Sequence, residues 1–142
     1  MKTVQGILDA KGSDVWSIDG DSSVFDALEY MAEKSIGAVL VVNDGELVGI
    51  MSERDYARKI ILMSRASRET KISEIMTSDP ICVTSSDTVS NCMQLMTEKR
   101  FRHLPVVDDG ALVGLISIGD VVRAVISEQQ FMIDQLESYI TG

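Results

Sequence analysis

Gly114-Leu-Ile-Ser-Ile-Gly-Asp120 decides how this chain folds, because the same pattern stands earlier as Gly49-Ile-Met-Ser-Glu-Arg-Asp55. Each copy starts as an apolar strand, breaks at a small polar segment and continues into a run that can wind as a helix. A strand-to-helix turn leaves backbone N–H groups unpaired at the helix start, where an anion or a sugar hydroxyl can be held. Ser and Asp add a hydroxyl and a carboxylate at that point. One copy alone reads more simply as a capping box, a Ser N-cap with an acid three residues on. Two copies at one offset, 114 − 49 = 65 and 120 − 55 = 65, are instead the mark of an internal repeat.

The repeat runs without a gap from about Val15 to Ile61 in the first copy. Val24, Met31, Glu33 and Lys34 meet Val89, Met96, Glu98 and Lys99. Val41, Val42, Asp44, Gly45, Leu47 and Val48 meet Val106, Val107, Asp109, Gly110, Leu112 and Val113. Ser52, Asp55, Arg58 and Ile61 meet Ser117, Asp120, Arg123 and Ile126. Each copy opens with a short extended piece, 15–18 or 81–83. An amphipathic helix follows from Val24 to Lys34, with Val24, Leu28 and Met31 on one face, and again from Val89 through Met93 to Met96. The polar residues 19–23 and 85–88 supply its N-cap. Val-rich runs joined through Asn43-Asp-Gly-Glu46 and Asp108-Asp-Gly-Ala111 predict a hairpin in each copy. A second helix closes each unit, from Tyr56 to about Met63 and from Val121 onward. Short helix-like pieces, Val4–Leu8 and Lys71–Met76, precede the copies. The domain boundaries read 1–63, a polar linker at 64–70, and 71–142.

The chain of 142 residues carries 13 basic and 22 acidic side chains, for a net charge of −9. That balance speaks against non-specific nucleic-acid binding and against anionic membrane surfaces, both of which need a basic face. No apolar run approaches the ~20 residues of a membrane helix, and the first residues lack the apolar segment of a signal peptide. Cys82 and Cys92 form no CxxC, so zinc and thiol chemistry are set aside and a reduced, cytoplasmic protein is expected. Met31, Met51, Met76, Met93 and Met96 read as core fillers. At the C-terminal end Ile126, Ile133 and Ile140 recur seven apart with Leu136 between. This stripe predicts either a partner helix, hence a homodimer, or packing on its own domain.

Two β-α-β-β-α units, each with a Gly-x-x-Ser-x-x-Asp turn, resemble a tandem pair of cystathionine-β-synthase (CBS) domains, a Bateman module of the stand-alone bacterial type. Arg102-His-Leu-Pro-Val-Val-Asp108 strengthens the resemblance, which covers nearly the whole chain. It implies an α+β fold in which two pseudo-twofold-related repeats pack through their sheets, with adenosine-containing nucleotides in two clefts. Carried over, Asp120 and Ser117 hold the ribose in one cleft, Asp55 and Ser52 in the other. The adenine would meet Trp16, Ser17, Ile18, Ile36 and Gly37 at the first cleft, and Ile81, Cys82, Val83 and Phe101 at the second. The ligand implied is AMP first, with ADP, ATP or NAD-type ligands as alternatives, and no metal.

The repeats are unequal in one respect. Arg102 and His103 stand where the first copy has Gly37 and Ala38, so a basic segment, Lys99-Arg-Phe-Arg-His103, exists only once. In an acidic chain that is where a phosphate would be gripped, although base at a helix C-terminus also suits the helix dipole. Arg54 offers a weaker equivalent beside Asp55. Trp16 reads as a core residue or as a stacking partner for the base. The function expected is a regulatory energy or redox sensor without catalytic activity, since no activated nucleophile or acid–base pair is visible. The alternatives are a structural dimerisation unit with empty clefts and a metal-assisted nucleotide hydrolase working through Asp120.

Overall fold

A computed structural model describes residues 2–141 of the chain. Its elements are helix α1 (Val4–Lys11), strand β1 (Ser17–Ile18), helix α2 (Val24–Lys34), strands β2 (Ala38–Asn43) and β3 (Glu46–Ser52), and helix α3 (Glu53–Tyr56). Then come β4 (Thr77–Ser78), α4 (Val89–Lys99), β5 (His103–Asp108), β6 (Ala111–Ser117) and the long α5 (Ile118–Thr141). The fold is α+β, with the helix–strand–strand–helix order that the sequence predicts in both copies and the opening strand in the first copy alone.

The same local chemistry builds both copies. Ser23 and Thr88 cap α2 and α4 by accepting from the N–H of Asp26 and Asn91. The hairpins turn at Asp44-Gly45 and Asp109-Gly110, whose φ angles are all positive (51°, 80°, 49° and 80°). Positive φ at both central residues gives the turn whose twist matches that of the strands, and Gly takes it at no steric cost. β2 and β3 pair antiparallel from Ala38↔Ser52 to Asn43↔Glu46, and β5 and β6 from His103↔Ser117 to Asp108↔Ala111. Both hairpins slip register at the same place, before Val42 and before Val107.

In space the chain divides into a contiguous unit, Val15–Pro80, and a second unit that joins the segment through Asp14 to everything from Ile81 on. The packed units are therefore not the sequence blocks 1–63 and 71–142. Each segment that precedes one repeat closes the other, by one set of contacts. Val4 N–H donates to the Asp87 carbonyl and Gln5 N–H to that of Ser85, while the Val89 N–H donates to the Lys2 carbonyl. In the contiguous unit Ile72 and Ser73 donate to Ser22 and Gly20, and Val24 donates to Thr70. Leu8 lies so close to Gly114, and Met76 to Gly49, that a Cβ on either glycine would stand under 3 Å from the neighbouring side chain. One core gathers Val4, Ile7, Leu8, Val89, Met96, Leu104, Ile116 and Val121. The other gathers Val24, Met31, Val39, Met51, Ile60, Ile72 and Ile75.

The structure departs from the sequence expectation in several places. The extended piece 81–83 is no strand; only Val83 bridges Val106, whereas β1 pairs with β2 over Ser17↔Leu40 and Ile18↔Val41. Leu40 donates its N–H to the Trp16 carbonyl, and its counterpart Pro105 has none to donate. The helix expected at 56–63 starts at Glu53 and passes after Tyr56 into a π-helical turn, Ala57–Ile61. Helix α5 likewise starts at Ile118, three residues before the expected Val121. The sequence reading also missed β4, which extends the first sheet to the order β1-β2-β3-β4. The polar segment 64–70 is tied to α2, since Phe25 and Val24 donate to the carbonyls of Ser67 and Thr70.

Candidate functional site

Both repeated turns form the same backbone knot. Ser52 caps α3 by accepting from the Asp55 N–H at 3.2 Å, and Asp55 Oδ2 in return takes the Ser52 N–H at 3.0 Å. In the other copy Ser117 Oγ accepts from the Asp120 N–H at 3.2 Å, and Asp120 Oδ2 takes the Ser117 N–H at 2.8 Å. The bland reading of the motif, a capping box, is thus how each turn is built. It leaves the carboxylate facing the helix start with one oxygen uncommitted to the turn itself.

What surrounds the two carboxylates differs. At Asp55, Oδ2 also receives the Ser52 hydroxyl at 3.2 Å, and Oδ1 faces Lys59 Nζ at 3.6 Å. Lys59 spends its better bond, 2.8 Å, on the Ile75 carbonyl. At Asp120, Lys11 Nζ reaches Oδ2 at 2.7 Å and the Leu115 carbonyl at 2.9 Å, and Arg123 reaches Oδ1 at 2.7 Å. The Asp120 side chain is 6% exposed, against 16% for Asp55. Burial of Asp120 works against ionisation, but the ammonium of Lys11 and the Ser117 N–H and hydroxyl outweigh it, holding the carboxyl below its ordinary pKa.

The other candidates fall into place unit by unit. In the second unit Ile118 N–H donates to the Arg102 carbonyl and His103 pairs with Ser117, so the basic pair and the Ser117–Asp120 turn are neighbours. Burial lowers the His103 pKa; Lys11 adds to this, Asp120 opposes it and Arg102 adds again. The shift favours the neutral imidazole, and the positive charge near it comes from Lys11 and from Arg102, which is exposed. Arg100 closes α4 in the left-handed conformation at φ 60°. Phe101 is half-buried, Val83 buried, and Ile81 and Cys82 exposed. Burial raises the Cys82 thiol pKa and, with Asp87, pushes that of Cys92 to about 11, out of the reactive range.

In the contiguous unit the Gly37 carbonyl accepts from the Glu53 N–H, the counterpart of the Arg102–Ile118 bond, so Gly37 and Ile36 adjoin the Ser52–Asp55 turn. Trp16 is partly buried, edge-on to Tyr30 at 6.5 Å, with the Lys34 ammonium 4.5 Å over its ring. Its ring thus has a structural place in the unit. Ser17 is exposed, Ile18 partly buried, and Arg54 exposed on α3. The sequence reading missed Lys11 and Lys59. Lys59 lies four residues beyond Asp55 on the same helical run and was open to an i, i+4 reading. Lys11 lies 109 residues from Asp120, outside the aligned repeat. Among the described residues no three His, Cys, Asp or Glu side chains gather as a metal-binding group, and no helix is long and apolar enough to cross a membrane.

Comparison with known proteins agrees with this architecture. The family model for the CBS domain matches residues 9–62 and again 72–127. A CBS domain-containing protein of Arabidopsis thaliana, CBSX3, mitochondrial, is 46% identical over 138 residues, which are 94% of this chain and 66% of that protein. The chain thus spans just under two thirds of that relative. The structure of a protein with CBS domains from Burkholderia ambifaria is 50% identical, with a TM-score of 0.87, covering 90% of this chain and 96% of that one. The structure of CBSX2 in complex with AMP is 29% identical, with a TM-score of 0.73, covering 91% and 99%. The chain belongs to the CBS-domain family and carries two CBS domains in tandem.

Proposed function

We propose that this protein is a regulatory module that binds an adenine nucleotide through its Ser52–Asp55 and Ser117–Asp120 turns, without chemical turnover. The observation that carries the reading is the pair of identically built turns, each aiming a carboxylate and a seryl group at a helix start. A carboxylate accepting from both vicinal ribose hydroxyls gains charge-assisted bonds worth about 1.5–3 kcal/mol each. It also repels a 2′-phosphate, so NADP-type ligands bind poorly. The AMP held by the CBSX2 relative supports the ligand class. AMP is the first candidate, ahead of ADP, ATP and NAD, because the basic segment around Arg102 occurs in only one of the two repeats and suits one 5′-phosphate.

Helix α5 supports a homodimer. Beyond Ile126 it exposes Phe131, Met132, Ile133, Leu136, Tyr139 and Ile140, an apolar surface that its own unit does not cover. A second copy of the same helix would bury it.

The deciding experiment titrates AMP, ADP, ATP, NAD and adenosine into the protein by calorimetry, with thermal melts in parallel. A ligand that binds only the folded state stabilises it by RT ln(1 + [L]/Kd), about 2.7 kcal/mol at a hundred times Kd. AMP is expected to give saturable heats and a raised melting temperature. Flat titrations for all five ligands at millimolar concentration would overturn the reading in favour of a structural module.

A further inference from the structure

The inner face of α1 and the first turns of α5 border a half-open cavity of about 310 Å³ whose lining residues all belong to one unit. On α5 its wall is Asp120, Arg123, Ala124 and Ser127, the i, i+3, i+4, i+7 positions of one helix face. On α1 the floor includes Gly6, where an added Cβ would meet nothing within 4 Å. Glycine is a poor helix former, and here its missing side chain keeps the cavity open.

The charges around this space do not balance. Lys2, Lys11 and Arg123 line it against the single carboxylate of Asp120, so 3 − 1 leaves two positive charges in a chain whose net charge is −9. Lys11 and Arg123 each hold an Asp120 oxygen at 2.7 Å. The Lys2 ammonium is set instead on the neutral Ser127 hydroxyl, at 2.9 Å. Its backbone is fixed there, because the Lys2 carbonyl accepts from the Val89 N–H at 3.0 Å. Ammonium, guanidinium and hydroxyl donors around an open, net-positive space are the donor set of a phosphate group.

We propose that the α1–α5 cavity is a phosphate-binding site in which Lys2, Arg123 and Ser127 grip the anion. Lys11 remains on Asp120 and the Leu115 carbonyl and adds its charge from the side. The chemistry recognised is a phosphate or pyrophosphate group, whether a free inorganic anion or the tail of a nucleoside di- or triphosphate. The site goes beyond the nucleotide reading, with which it shares Asp120 in its wall, and the arms of the test separate the two.

The test titrates inorganic pyrophosphate and, separately, adenosine into isotope-labelled protein at low salt. It follows amide shifts in wild type, Lys2→Gln and Gly6→Leu. Gly6→Leu fills the cavity without touching a charge and favours the helix, so it cannot lose binding by unfolding α1. Pyrophosphate is expected to shift amides in α1 and in the first three turns of α5. Its Kd should rise at least tenfold in each variant, while adenosine shifts stay as in wild type. Absence of pyrophosphate shifts in α1 and α5, or equal binding by all three proteins, would overturn the site. A further arm adds ADP to the pyrophosphate-bound protein. Displacement identifies the cavity with a nucleotide tail, and simultaneous binding identifies a free anion. Pyrophosphate binding without any nucleoside response would sink the nucleotide reading and leave this site standing.

Discussion

At Asp55 the carboxylate meets its own turn and a lysine 3.6 Å away; at Asp120 it meets its own turn, a lysine at 2.7 Å and an arginine at 2.7 Å. A carboxylate offers about four lone-pair positions. Asp55 has given two, to the N–H and the hydroxyl of Ser52, and keeps enough for both hydroxyls of a ribose. Asp120 has given three, to Ser117, Lys11 and Arg123, so a diol must first displace a cation. Arg123, with its side chain 73% exposed, is the cheaper one to release, and Lys11, 39% exposed and also bonded to the Leu115 carbonyl, the dearer. Identical motifs at identical spacing therefore need not bind equally. The motif sets where the carboxylate stands, and its neighbours set whether it is available.

The difference between the halves extends to the helix after each turn, and the largest predicted effect lies there. The contiguous unit ends its run in a π-helical turn at Ile61, while α5 continues to Thr141 with an exposed apolar face. The double variant Ile133→Asp, Leu136→Asp should raise the dimer Kd about a thousandfold, from two aliphatic burials of ~1.5–3 kcal/mol each. Light scattering across a concentration series reads this out. A wild type that stays monomeric at tens of micromolar removes the dimer altogether.

Next in size are the carboxylates themselves. Asp55→Ala and Asp120→Ala should each weaken nucleotide binding at their own turn about a hundredfold, from some 3 kcal/mol of lost hydroxyl bonds. Binding at the other turn should be unchanged. Calorimetry showing that either single variant loses both binding events, with the melt intact, would break the comparison into one shared site. A tenfold effect tests the clamp. Lys11→Met should tighten adenosine at the Asp120 turn about tenfold, or ~1.4 kcal/mol, by freeing one carboxylate position. Adenosine carries no phosphate, so the change reports on the ribose alone. Unchanged affinity would show that the ammonium gives way without cost.

The smallest effects appear against pH. The folded pKa of His103 lies below its unfolded value near 6.5, so the unfolded chain binds more protons in that window. Stability should fall as pH drops from 7 through 6.5 toward the folded pKa, and His103→Gln should flatten that part of the slope in urea melts. The Asp120 contribution has the opposite kind of group behind it. A carboxyl lowered below 3.8 stabilises the fold above that pH and loses its contribution as pH falls through the folded value. Asp120→Asn should remove this acid-side loss.

The repeat made much of this legible in advance. Two copies at a 65-residue offset carried the helices, the hairpins, the Asp-Gly turns and the Ser–Asp knots, because each depends on residues close together in sequence. The failures have local causes too. Pro105 could have been read as breaking the counterpart of β1, since its missing N–H is visible in the sequence. The π-helical turn at Ala57 leaves no mark in an apolar pattern that fits an ordinary helix nearly as well. Lys11 and Lys2 were invisible for a different reason. The segment that carries them matches the one before the second repeat at another offset, with Val4, Ile7 and Leu8 standing 68 residues before Ile72, Ile75 and Met76. An alignment held at 65 leaves that segment out, and with it the clamp on Asp120.

The crossed closure of the two units sets an order for the protein's synthesis. Residues 15–80 contain every part of their own core, so that unit can form as soon as they have left the ribosome. The other unit needs both ends of the chain: Val4 bonds to Asp87, 87 − 4 = 83 residues later. At ribosomal rates of about 5–20 residues per second, α1 waits on the order of 10 s for its partner strand and helix to exist. During that wait Val4, Ile7 and Leu8 have no core to enter, so α1 is made before residues 15–80 but placed after them. The cations that hold Asp120 and line the α1–α5 cavity arrive with it, so both sites of this unit are completed only by the closing step.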